Sequence, residues 1–485
     1  MHNYISISDS YFYNLFLKLS SGKRKSLIFL SILVIVLFCF LDPAMCMVLF
    51  LFATSLYIIY SKTKNIYILK LFYYGTLIKF ICAIIIFIFY YLTNINYELS
   101  GYSVPYSRFF LGDGGYYLLR GLWLHKFLLG SLEYEPYLWN EVVVGYGQTF
   151  FVDLVAFFIS QFGFSPLSIY FINCILGSFI PISIYFITLK YFDKKTARYT
   201  SLACMFWPSL FVLSLFPLKD VWFIFFIIQA IYFFLGFLES KKIYTYLNMI
   251  CFLYLAYLIR PIFPCAILSI YFTLPCIIKL TQLKMIKSLL LALIIFIYCL
   301  AVIPEKTFST IQSGKNKILN IFARHIGHVH SSEPGKAYKY LDNNLYLTKN
   351  PLPLLNNFTV ETHIKNTLKS CIHFMYEPFF WEKGKGHLLI FYPEVVILYL
   401  LLPFVLMGIL ISFNRGSISY MLLTLALLIV STAIPMGNIG TTVRMRALFI
   451  PFYLAFGLEG FLWIKQRSLL WIINWSSIIY ISKWH

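Results

Sequence analysis

Apolar blocks long enough to cross hydrocarbon recur along this chain, and no other feature constrains its fold as tightly. The clearest run from Ser26 to Phe40, Val48 to Tyr60, Leu69 to Tyr91, Pro166 to Leu189 and Leu388 to Phe413. A spanning helix needs roughly 20 mostly apolar residues, fewer where packed helices thin the bilayer. Within hydrocarbon each backbone N–H and C=O must find its partner inside the protein, and the alternation of a barrel strand is absent here. The expected fold is therefore all-α: a polytopic membrane helix bundle of about 11–13 transmembrane helices with extracytoplasmic loops. Composition agrees, since 60% of the 485 residues are hydrophobic and 12% are charged, half the charged share of a soluble domain.

A formal charge of +20 would suggest nucleic acid in a soluble protein. Here the cations sit in short hinges between apolar blocks, which is how a polytopic protein fixes its orientation. No solvated basic module is present, so nucleic acid is not an expected partner. Lys18, Lys23, Arg24 and Lys25 place the N-terminus in the cytoplasm. The later hinges (Lys62 and Lys64; Lys190 to Arg198; Lys241-Lys242; Lys279 to Lys287; Arg415; Lys465 and Arg467) fall on the same side if 149–163 is an interfacial helix and not a full span. The basic triplet at 23–25 precedes an apolar run without a small-residue cleavage site, as an uncleaved first helix would. Nine of the ten cysteines lie in apolar blocks and read as small core residues, with Cys371 in a polar loop.

This bookkeeping divides the chain into an N-terminal transmembrane hairpin (1–66), a transmembrane core (67–304) with a first outer loop at 94–165, an extracytoplasmic loop region (305–387), and C-terminal transmembrane helices (388–485). Ionisable residues at the membrane edge are expensive, so each needs a reason. Asp113 lies in Leu-Gly-Asp-Gly-Gly-Tyr-Tyr, where glycines allow close backbone approach and a carboxylate can serve as general base. The same residues also make a plain turn. Lys219 and Asp220 open a span, as a substrate contact or as a helix cap. Arg260, before Pro261, suits phosphate binding by a planar fork, or snorkelling to headgroups. Arg444 and Arg446 follow a Gly-rich turn on the outer side, against the positive-inside trend, where they can clamp a phosphate or contact anionic headgroups. Glu394 opens another span and can hold one of those arginines or cap the helix. The common sidedness of Asp113, Asp220, Arg260, Glu394, Arg444 and Arg446 points to one extracytoplasmic site assembled from several loops.

No cofactor follows from these residues. A divalent metal ion is the only candidate, with His325, His328 and His330 at usable spacing, although no cysteine or carboxylate adjoins them and short His runs are usually solvated. No Gly-rich phosphate loop followed by Lys-Ser or Lys-Thr occurs, which disfavours an ATP-driven pump.

Taken in order, several stretches resemble bacterial GT-C class glycosyltransferases, the polyprenyl-phosphate-sugar-dependent enzymes related to protein mannosyltransferases and aminoarabinose transferases. They are Gly112 to Tyr117; 149–189 with Asn173; Pro217-Leu-Lys-Asp220; Leu258-Ile-Arg-Pro261; Pro393-Glu394; and Gly437 to Arg446 with Pro451 following. The resemblance covers about 67–465. It implies an inner-membrane enzyme that moves a sugar from a polyprenyl-phosphate-linked donor to a glycan, lipid or protein acceptor on the periplasmic face. Asp113 maps onto the catalytic base. Arg260, Arg444 and Lys219 map onto donor phosphate contacts, with Tyr117, Asp220, Glu394 and Arg446 as further substrate contacts. The pattern departs from the family in two places: Gly114 stands where a second acid is common, and two extra spans precede the loop. A polysaccharide or O-antigen polymerase shares the same logic, and a lipid-linked glycan transporter or flippase is the competitor from another class.

Overall fold

The structure, a computed structural model, describes residues 43–94, 113–131, 149–260, 371–377, 391–412 and 439–482, with isolated positions between 361 and 432. The described residues are helical, with no strand among them, and they form the expected all-α polytopic bundle. Twelve helices follow in chain order: α1 Pro43–Thr63, α2 Ile66–Asn94, α3 Asp113–Leu128, α4 Phe150–Phe162, α5 Pro166–Tyr191, α6 Lys194–Phe206, α7 Pro208–Ser214, α8 Lys219–Ser240, α9 Ile243–Ile259, α10 Tyr392–Ser412, α11 Ile439–Arg446 and α12 Ile450–Ser482. Five of these are long and apolar enough to cross a membrane, and α11 with α12 makes a sixth candidate bent by 57°. Four of the five apolar blocks read from the sequence coincide with α1, α2, α5 and α10. The block at Ser26–Phe40 lies outside the described residues, as does nearly all of 305–387. The 149–163 stretch is a 13-residue helix, α4.

Prolines set several helix ends. Trp207 is held extended before Pro208, which separates α6 from α7. Arg260 is likewise extended ahead of Pro261, so α9 stops there and leaves the guanidinium at its end. The α8–α9 hairpin turns at Lys241, whose positive φ ends α8 in a left-handed cap. That turn folds the end of α9 back onto the start of α8.

Between membrane helices the hydrophobic drive is weak, and close packing with polar ties takes its place. α10 and α12 cross where Gly408 faces Phe456 and Gly460 faces Phe404. A Cβ on either glycine would run into the partner's backbone carbonyl. α3 packs on α4 in the same way, with Gly121 against Val155. Gln229 donates to Ser183 (2.5 Å), which ties α8 to α5, and Lys190 Nζ meets Glu239 (3.0 Å) and the Leu235 carbonyl at their far ends. Phe80 stacks on Phe171 to join α2 to α5. The cysteine reading needs one correction. Cys46 is disulfide-bonded, while Cys82, Cys174, Cys204, Cys251 and Cys371 are free thiols.

Candidate active site

Four helix ends meet at one place. α3 contributes Asp113 from its first turn, α8 contributes Lys219 and Asp220 from its first turn, α9 contributes Arg260 from its last residue boundary, and α11 contributes Arg444 from its last turn. The macrodipole favours this distribution, because carboxylates sit at positive N-terminal ends and Arg444 at a negative C-terminal end. Asp220 is fully buried. Its Oδ1 accepts from Arg260 at 2.6 Å, and its Oδ2 lies 3.7 Å from Arg444 Nη1. The same Arg444 nitrogen donates to Asp113 Oδ2. A chain of alternating charge therefore runs Arg260, Asp220, Arg444, Asp113.

Lys219 completes the cluster with its Nζ 5.1 Å from the centre of the Tyr117 ring. Burial, followed by the neighbouring carboxylates of Asp220 and Asp113, holds the Tyr117 phenol well above its usual range. The Tyr117 ring meets Phe151 edge-on, and Phe151 meets Trp222. Among these described groups Lys219, Arg260 and Arg444 face Asp220 and Asp113.

Two residues outside the charged set fix the geometry. The Asn173 side chain, fully buried in α5, donates to the carbonyls of Phe216 (2.6 Å) and Leu218 (3.0 Å) and accepts from Trp222 Nε1 (2.7 Å). Those bonds pin the turn that launches Lys219 and Asp220. The sequence carried the signal, since an amide inside an apolar run costs free energy unless its bonds are made. Gly114 packs against the Pro217 ring, and a Cβ there would lie 3.1 Å from Pro217 Cγ and Cδ. A side chain at this position would crowd the Pro217 ring.

Arg446 and Glu394 occupy a different cluster. Residues two apart on a helix point about 200° apart, so Arg444 and Arg446 project to opposite sides of α11 and do not share a clamp. Arg446 is fully buried and donates to the carbonyls of Met375 (3.1 Å) and Glu377 (2.5 Å), with Glu394 Oε1 3.6 Å away. Glu394 Oε2 accepts from the Ser209 amide at 2.8 Å. Glu377 in turn pairs with His373. His325, His328 and His330 lie outside the described residues, and no group of three or more metal-type side chains gathers among the described ones.

Residues 150–304 match the family model of dolichyl-phosphate-mannose-protein mannosyltransferases. The match supports a membrane glycosyltransferase of the GT-C type. Neither a curated protein nor a solved structure matches the chain. The GT-C stretch covers α4 to α9 and so includes Asn173, Lys219, Asp220 and Arg260, while Asp113 and Arg444 reach it from either side in sequence.

Proposed function

We propose that this protein transfers a sugar from a polyprenyl-phosphate-linked donor to a hydroxyl of a glycan, lipid or protein acceptor, on the extracytoplasmic face of a bacterial inner membrane. The observation that carries the reading is the charged chain Asp113–Arg444–Asp220–Arg260, gathered from four separate helix ends. A lipid phosphate keeps its tail in the bilayer and its head at the surface. An enzyme using it needs cations for the phosphate and a base for the acceptor at one membrane edge. The basic hinges at 190–198 and 241–242 support the far end of α8 as the cytoplasmic one.

In the proposed reaction the acceptor oxygen attacks the anomeric carbon while Asp113 takes its proton. The bond between that carbon and the phosphate oxygen breaks, and the lipid phosphate leaves with one added negative charge. Arg260 and Arg444 stabilise that charge as it grows, with Lys219 behind them. Fixed cations in a site shielded from water are most effective at this step. Tyr117 donates to a donor oxygen. Asp220 holds both guanidinium groups in place, while Arg446 and Glu394 brace α11 against α10 and α7.

The test is sugar transfer by the purified protein in liposomes with a radiolabelled polyprenyl-phosphate sugar and lipid and glycan acceptors. Label appearing on an acceptor, and lost with Arg444→Gln, is the expected result. Movement of labelled donor across the bilayer without transfer to any acceptor would replace the enzyme with a transporter.

A further inference from the structure

Arg444 has two carboxylate neighbours, and their situations differ. Asp220 is fully buried, already bonded to Arg260, and set on a turn that Asn173 pins from α5. Asp113 is 49% exposed and begins a helix. Both face the same nitrogen, Arg444 Nη1. If a phosphate approaches this guanidinium, one carboxylate must give way. Removing Asp220 would strand a buried charge beside Arg260, which is costly. Removing Asp113 only returns a half-exposed carboxylate to water while the phosphate takes its place on Arg444, so neither charge is left unpaired.

We infer that the donor phosphate displaces Asp113 from Arg444, so that the base is freed only once the donor is seated. This rests on the reading of the site as a phosphate-lipid transferase. A donor phosphodiester brings one negative charge to Arg444, in place of the one that Asp113 withdraws. Phosphate can replace carboxylate on a guanidinium because both accept the paired N–H donors. While Arg444 holds Asp113, the carboxylate is turned toward the arginine and away from any acceptor hydroxyl. Once the phosphate takes that place, the carboxylate stands beside the reacting centre. The order of events follows: donor first, then deprotonation of the acceptor.

The test uses farnesyl methyl phosphate, a singly charged diester, titrated calorimetrically into the detergent-solubilised full chain. Asp113→Asn removes the competitor, so the probe binds about three- to tenfold more tightly than to wild type. Arg444→Gln loses the probe. In wild type, carbodiimide coupling of glycine methyl ester to Asp113, read by mass spectrometry, rises when the probe is added. That second measurement needs no variant and stands if Asp113→Asn fails to fold. Unchanged or weaker probe binding by folded Asp113→Asn, or labelling that stays level or falls, overturns the gate while leaving the phosphate site intact. Wild-type probe binding by Arg444→Gln overturns the phosphate site itself. Neither readout depends on sugar transfer, so the gate and the reaction fail separately.

Discussion

Replacing Asp220 with asparagine keeps its size and removes its charge. In the folded protein that charge accepts from Arg260 at 2.6 Å and lies 3.7 Å from Arg444, with no exposure of its own. Its loss leaves Lys219, Arg260 and Arg444 facing only Asp113. Breaking a fully buried pair costs about 3–5 kcal/mol, and a hydrogen bond to a charged group contributes about 1.5–3 kcal/mol. Side-chain exposures of 20% for Arg260 and 15% for Arg444 let water soften the loss, so about 2–4 kcal/mol is expected. Asp113→Asn removes a half-exposed pair instead and costs under about 1 kcal/mol. Thermal unfolding of the detergent-solubilised proteins, followed by tryptophan fluorescence, checks the order. Wild type melts highest, Asp113→Asn just below it, and Asp220→Asn clearly lowest. An Asp220→Asn protein that melts with or above Asp113→Asn would refute the placing of Asp220 as the anchor of both arginines.

Asn173→Ala cuts the three bonds that hold the 216–218 turn and the Trp222 indole; the expected cost is about 2–3 kcal/mol, and the donor KM rises while the acceptor KM is unchanged in steady-state transfer assays. Gly114→Ala brings a methyl to 3.1 Å from the Pro217 ring, which lowers transfer in the same assays; the melting temperature shifts by less than the equivalent of about 1 kcal/mol, because the gain in helix propensity offsets the crowding. Arg446→Met leaves Glu394 buried without its cation. It costs about 3–5 kcal/mol and shows in the yield of folded protein on size-exclusion chromatography, with the donor KM of the folded fraction unaltered.

The fold was largely legible because a bilayer allows few solutions. Apolar runs of span length have to be helices, and α1, α2, α5 and α10 fall on the blocks from which they were read. The gathering of Asp113, Asp220, Arg260 and Arg444 was legible only as sidedness, since hydrophobic pattern gives the end of a helix but not its neighbours. Three features were hidden for definite reasons. Arg444 and Arg446 look like a pair in sequence, yet helical rise and twist separate them, and only the formation of α11 decides that. The role of Asn173 depends on a turn more than forty residues downstream. The Cys46 disulfide went unseen because an apolar setting favours a core thiol over a bridge.

The central claim is that Asp113 removes the acceptor proton. Its most direct test is single-turnover transfer from a pre-bound polyprenyl-phosphate sugar, comparing wild type with Asp113→Asn at saturating acceptor. Loss of a general base predicts a rate lower by about 10²- to 10⁴-fold with the donor still bound. A rate within about twofold of wild type would contradict the account.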